Sequence, residues 1–251
     1  MSRGIYFSCG DSSITGLAEQ CIDLVVTDPP FFDNVHYFEL ADFFFAWQQI
    51  DQQSTTETNS ATPPRATTRH PSEVQDAYAN QFAEKLEGVF RECHRVLRDD
   101  GLLVFSYHHS RHEGWSSLAK AILGAGFVVI NSQPVKAEMS VATPKSQAKE
   151  PIQFDIILVC RKRESAALAA SPSVSEALDS AHRKIQRLLA DGFTLSRNDR
   201  RIVLFGQKVT TLRSADDIES LTLDTDDDEL PILSEPVRRR RSPQKLLFKE
   251  A

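Results

Sequence analysis

A chain of 251 residues, 41% hydrophobic and 25% charged with a mean hydropathy of −0.32, has the composition of a globular protein: one main domain plus an appendage. Its apolar runs fall short of the roughly 18 to 20 residues of a membrane span, its first residues hold no signal-peptide core, and its four cysteines form no CxxC pair. A cytoplasmic protein without membrane partner, disulfide framework or metal site is therefore expected, and a net charge of −6 gives no general attraction to nucleic acid.

Residues 5–7 and 22–26 are short apolar runs that predict strands. The second stops at Asp28, because Pro29 and Pro30 remove amide donors. An aromatic stretch from Phe31 to Trp47 follows, and then residues 51–71, a Gln/Thr/Ser/Pro-rich segment expected to be a mobile loop. Between Glu73 and Arg98 the apolar residues Tyr78, Phe82, Leu86, Val89, Phe90, Cys93, Val96 and Leu97 recur at helical spacing, with Asp99-Asp100-Gly101 as the expected stop. Residues 102–106 predict a strand, 115–123 a helix, 127–131 a strand and 154–160 a last strong strand. Farther on, 173–190 has a helical pattern and 201–205 resembles an added strand.

Alternating strands and helices indicate an α/β domain with a mostly parallel sheet. The connection 134–153 lacks a helical pattern, so the last strand is expected to pair antiparallel. The domain is placed at 1–163, a helical and strand extension at 164–215, and a disordered charged tail at 216–251. In that tail Arg238 to Arg241 follow the acids of 224–229, a pattern of a solvated segment that can still touch phosphates.

The chemical signal is Asp28-Pro29-Pro30-Phe31. A carboxylate only accepts hydrogen bonds, the carbonyl before a proline is free of the ladder, and the prolines hold both acceptors rigid. Two such acceptors can grip an exocyclic amine and favour the tetrahedral nitrogen that develops as it attacks. Phe31 can stack on a base taken out of the duplex. The plainer reading is a strand-terminating turn with a core phenylalanine; the place at the carboxyl end of a strand, where α/β sheets bind ligands, favours the chemical one.

The stretch from Cys21 to Trp47 resembles the amino-methyltransferases of DNA, which carry a (D/N/S)-P-P-(Y/F/W) motif. Within them it is most similar to the large bacterial and archaeal adenine-specific DNA methylases, whose motif continues D-N-x-x-Y-x-x-L-x-D-F-F, here Asp33, Asn34, Tyr37, Leu40, Asp42, Phe43 and Phe44. Residues 92–110 resemble the same family. The resemblance implies a Rossmann-like methyltransferase fold, S-adenosyl-L-methionine as cofactor, DNA as partner and adenine N6 as a target ahead of cytosine N4. Asp28, Pro29 and Phe31 would then hold the amine and base, Pro30 would stiffen the turn, and Asp33, Asn34 and Tyr37 would shape the pocket. Asn34 equally fits a turn, Glu39 and Asp42 a solvated or capping role, and Phe43, Phe44, Phe45 and Trp47 a helix core. His108 is a candidate substrate or phosphate contact; beside His109 and His112 it lacks a convincing metal-ligand spacing.

The family's cofactor turn, a glycine-rich loop upstream of the motif, has no counterpart. Gly124-Ala-Gly126 follows a helix and precedes a strand, the reverse of the required order. Residues 5–11 are similar to a third methyltransferase strand ending in Asp11, a cofactor-binding candidate that fits a turn equally well. The expected fold is therefore N-terminally incomplete. Three readings follow: the substrate-binding part of a split or truncated enzyme whose cofactor half is separately encoded, an inactive remnant, or a nucleic-acid-binding or regulatory module. A missing half would leave a strand edge exposed to pairing or aggregation.

Overall fold

The computed structural model describes residues 4–8, 10–32, 43, 44, 47, 73, 74, 76, 78–137, 152–166 and 171–221. Asp33, Asn34, Tyr37, Glu39, Asp42, Phe45, the expected loop at 51–71 and the chain beyond Leu221 lie outside them.

Among the described residues, four strands form one sheet in the order β1-β2-β4-β3. These are β1 (Ile22–Thr27), β2 (Leu97–Tyr107), β3 (Phe127–Lys136) and β4 (Phe154–Lys162). β1 and β2 pair parallel, and β4 pairs antiparallel with both β2 and β3. Three strands thus share a direction, and only β4 is reversed. β3 and β4, consecutive among the described strands, pair antiparallel, as the lack of helical periodicity between them predicts.

Helix α1 (Ala79–Val96) buries Phe82, Leu86 and Phe90, the face that the three-and-four spacing defines. It ends earlier than the sequence implies. Leu97 is already extended and pairs with Ile22, so sheet pairing captures the chain before Asp99-Asp100-Gly101, which lie inside β2. Helix α2 (His112–Gly124) packs on α1. A short turn, α3 (Arg163–Ala166), leads on from β4, and α4 (Val174–Ala190) begins at Ser173, whose hydroxyl and Glu176 form a reciprocal capping box.

Residues 201–205 are not a strand. They belong to helix α5 (Arg197–Lys208), started by a second capping box between Ser196 and Asp199. Ile202, Val203, Leu204 and Phe205 are all buried because core surrounds the helix, and a contiguous apolar run does not by itself separate a strand from a buried helix. Gly206 allows the close approach: a Cβ there would lie 2.8 Å from Ile156 Cγ2 and 2.7 Å from Ser132 Oγ. Trp115 of α2 stacks on Phe205 at 5.9 Å and meets Tyr107 edge-on at 5.2 Å. α5 therefore shares one continuous core with the sheet. The ordered chain also runs into the segment expected to be tail, since Ile218 and Leu221 of a 3-10 turn (Ala215–Leu221) are buried.

Residues 5–7 form no strand. Ile5, Tyr6 and Phe7 are 83%, 92% and 94% exposed, for a strand without a neighbour has no ladder to hold it. Phe43, Phe44 and Trp47 are helical as expected but exposed instead of core, touching one another at ring distances of 5.5 and 6.3 Å. Among the described strands β1 lies at the edge of the sheet. Its Val25 is half-buried, and Leu24 and Val26 are exposed on the opposite face.

Candidate active site at the carboxyl ends of β1 and β2

The parallel register pairs Thr27 with Phe105, which sets Asp28 opposite Ser106. The Ser106 hydroxyl donates to Asp28 Oδ1. Asp28 is exposed, Pro29 buried and Pro30 half-buried, so a carboxylate facing solvent stands on a turn anchored in the protein. The bond from Ser106 orients one carboxylate oxygen. A carboxylate has about four acceptor sites, and among the described residues Ser106 fills one of them.

Phe31 is 8% exposed. Its ring and that of Tyr107 meet edge to face at 5.4 Å with an interplanar angle of 86°, and it lies 4.4 Å from the His108 ring, tilted by 55°. Tyr107 is locked: it is fully buried, and its hydroxyl donates to the Gly114 carbonyl at 3.0 Å. Burial also pushes its phenol well above the ordinary range. His108 is held by Asp155 of β4, with Nδ1 and Oδ1 2.5 Å apart.

Phe32 turns the other way and packs between Phe82 of α1 and His109. His109 is structural. A Cβ on Gly114 would lie 2.3 Å from the His109 ring, so only glycine lets α2 pass there. The Arg111 amide donates to His109 Nδ1 at 3.1 Å, the Trp115 indole N–H donates to the His109 carbonyl at 2.8 Å, and burial pulls the imidazole below its ordinary value. Asp11 closes a turn by accepting from the Ser13 amide and hydroxyl at 2.8 and 2.6 Å, the turn role it fits equally well in the sequence.

The structure thus brings Asp28, Pro29, Pro30, Phe31 and His108 to one sheet edge and adds Ser106, Tyr107 and Asp155, which sequence reasoning did not single out. Ser106 was within reach of such reasoning: it lies at the end of the strand that pairs with the Asp28 strand. Asp155 was not, because its place depends on β4 entering between β2 and β3.

A family model described as DNA methylase matches residues 22–221. The chain belongs to the DNA methylase family. It is also similar to a solved structure described as a DNA modification methylase from Thermus thermophilus, with 20% identity and a TM-score of 0.32, over 70% of this chain and 62% of that one. The match therefore spans less than two thirds of that chain's length. No curated protein matches this DNA methylase family member significantly.

The family implies S-adenosylmethionine as cofactor, and the Gly124-Ala-Gly126 segment offers no open cradle for its methionine part. At Gly124 and Gly126 the space is already taken, since a Cβ on Gly124 would lie 2.5 Å from the Glu87 carboxyl and one on Gly126 3.2 Å from His94. Gly126 has a positive φ of 85° and serves the turn from α2 to β3. No group of three or more His, Cys, Asp or Glu among the described residues can hold a metal ion.

Proposed function

We propose that this member of the DNA methylase family is the base-holding part of an S-adenosylmethionine-dependent amino-methyltransferase. It acts on DNA, at adenine N6 ahead of cytosine N4, with the cofactor site supplied by a polypeptide part other than the described residues. The observation that carries this reading is the Ser106-held carboxylate of Asp28 at the end of β1, facing solvent above a buried proline and ring. The remaining Asp28 acceptors and the backbone carbonyl at the same turn receive the two amine hydrogens, which favours the tetrahedral nitrogen as its lone pair leaves the ring system. Asn34, Asp33 and Tyr37 complete the pocket in this reading, and His108 lies at its wall. The exposed apolar face of β1 at Leu24 and Val26 supports a partner half.

The burial of Phe31 favours a second reading, a remnant or nucleic-acid-binding module in which the turn is structural. Calorimetric titration of S-adenosylmethionine into the chain, followed by co-expression with a fragment that carries a glycine-rich cofactor turn, separates the two. The first reading expects no binding by the chain alone and methylated DNA on co-expression. Methylation that survives Asp28→Ala would remove Asp28 from the chemistry.

A further inference from the structure

Asp155 comes from the one reversed strand among the described residues. Because Tyr107 pairs with Ile156, the beginning of β4 lies beside the end of β2, and the next residue of each strand brings Asp155 and His108 together. A parallel β4 would present its last residues there instead. An ionised carboxylate has no proton to donate, so the 2.5 Å contact fixes the imidazole proton on Nδ1 and with it the ring orientation. The His108 side chain is 9% exposed and that of Asp155 20%, so the contact is largely shielded from water.

Among the described residues Phe31 has two aromatic neighbours, Tyr107 and His108. Tyr107 is fixed in the core by its own hydrogen bond and full burial. His108 follows the end of a strand, and its ring lies closer to Phe31 than Tyr107 does. His108 is thus the nearer ring against Phe31, and a base meeting an aromatic ring is sensitive to that ring's orientation.

We propose that Asp155 and His108 are a positioning pair: Asp155 orients the His108 imidazole, which in turn sets the Phe31 ring for the target base. The proposal rests on the base-holding reading above and gives His108 a role different from direct substrate contact. Asp155 acts through two side chains and touches no substrate.

The test compares two duplexes that differ at one position, an unpaired bulged adenine or an abasic residue in its place, by fluorescence anisotropy with the full chain. The ratio of the two dissociation constants isolates what the base itself contributes. For the native chain a preference of about tenfold for the adenine duplex is expected, the scale of one base on an aromatic ring. Phe31→Leu removes it. Asp155→Ala is expected to reduce it to about twofold with affinity for the abasic duplex unchanged, and to have no further effect when combined with Phe31→Leu. His108→Leu, which keeps bulk against Phe31 without the hydrogen bond, repeats the result if Asp155→Ala does not fold. A native preference that Phe31→Leu removes but Asp155→Ala and His108→Leu leave intact overturns the positioning pair and spares the base-holding reading. No preference in the native chain overturns both.

Discussion

At the amino ends of β1 and β2 a wide groove is lined by Gln20, Arg91, Glu92, His94, Lys162 and Glu164, and its charges answer one another. Arg95 donates to Glu92 at 2.8 Å, Thr15 donates to the same carboxylate through its amide and hydroxyl at 3.0 and 2.5 Å, and Lys162 reaches Asp99 at 3.3 Å. The guanidinium of Arg95 first, and then Thr15, pull Glu92 down to about 2. At the carboxyl ends, Asp28 is exposed and has Ser106 as its donor. The groove has its charges matched by neighbouring groups, and the carboxyl-end site presents an exposed carboxylate on a turn anchored by a buried proline. An exposed acceptor on a rigid turn is a better guide to chemistry than a hollow whose charges are already paired.

The largest effect is expected at Asp28. With the cofactor half supplied, Asp28→Ala is expected to lower the methylation rate by about a thousandfold, as when preorganised charge stabilisation at a reacting atom is lost. DNA affinity, read by anisotropy, stays within a few-fold by the same argument. Ser106→Ala follows. Loss of a hydrogen bond to a charged group is worth about 1.5–3 kcal/mol, so kcat falls about tenfold or more while KM holds, and Ser106→Thr retains most of the rate. An unchanged kcat in Ser106→Ala would mean that the hydroxyl only decorates the strand.

At the other end of the sheet, Glu92→Gln is expected to lower the melting temperature and leave methylation unchanged. A loss of activity equal to that of Ser106→Ala would erase the distinction between the two ends. The smallest effect is a pH dependence of stability. Burial first of all pulls both His94 and His109 below their ordinary values. The folded chain then binds fewer protons than the unfolded one below about pH 6.5, so stability is complete above that pH and declines as the pH falls beneath it. Glu92 adds a separate loss only between about 4.5 and 2, since its carboxyl is ordinary in the unfolded chain and depressed in the folded one. Melting temperatures at pH 7.5 and 5.5 should therefore differ, and His109→Gln should reduce the difference.

Much of this was legible in the sequence where a local rule coincides with a global one. The spacing through Phe82, Leu86 and Phe90 defined both a helix and its buried face, and Asp28-Pro-Pro fixed a strand end by removing amide donors. The direction of β4 was legible too, from a connection without helical periodicity. What failed depended on partners distant in sequence. Residues 5–7 have strand-forming side chains and no strand beside them among the described residues, whereas 201–205 have the same kind of side chains and lie in a helix because Ser196 and Asp199 start one. Ser106 lay in a strand that the sequence identified, although its bond to Asp28 needed the register. Asp155 needed the strand order itself.

The strand order also dictates a sequence of events during synthesis. Among the described strands β4 is the last one made and a central one in the sheet, between β2 and β3. Until β4 is made, β2 and β3 lack the strand that lies between them in the finished sheet. The insertion of β4 is a late, non-local step of the kind that slows folding and leaves strand edges exposed meanwhile. That same step brings Asp155 to His108. The sheet and the wall behind Phe31 are finished at one moment, so a nascent chain arrested before β4 holds the Asp28 turn with its aromatic backing half assembled.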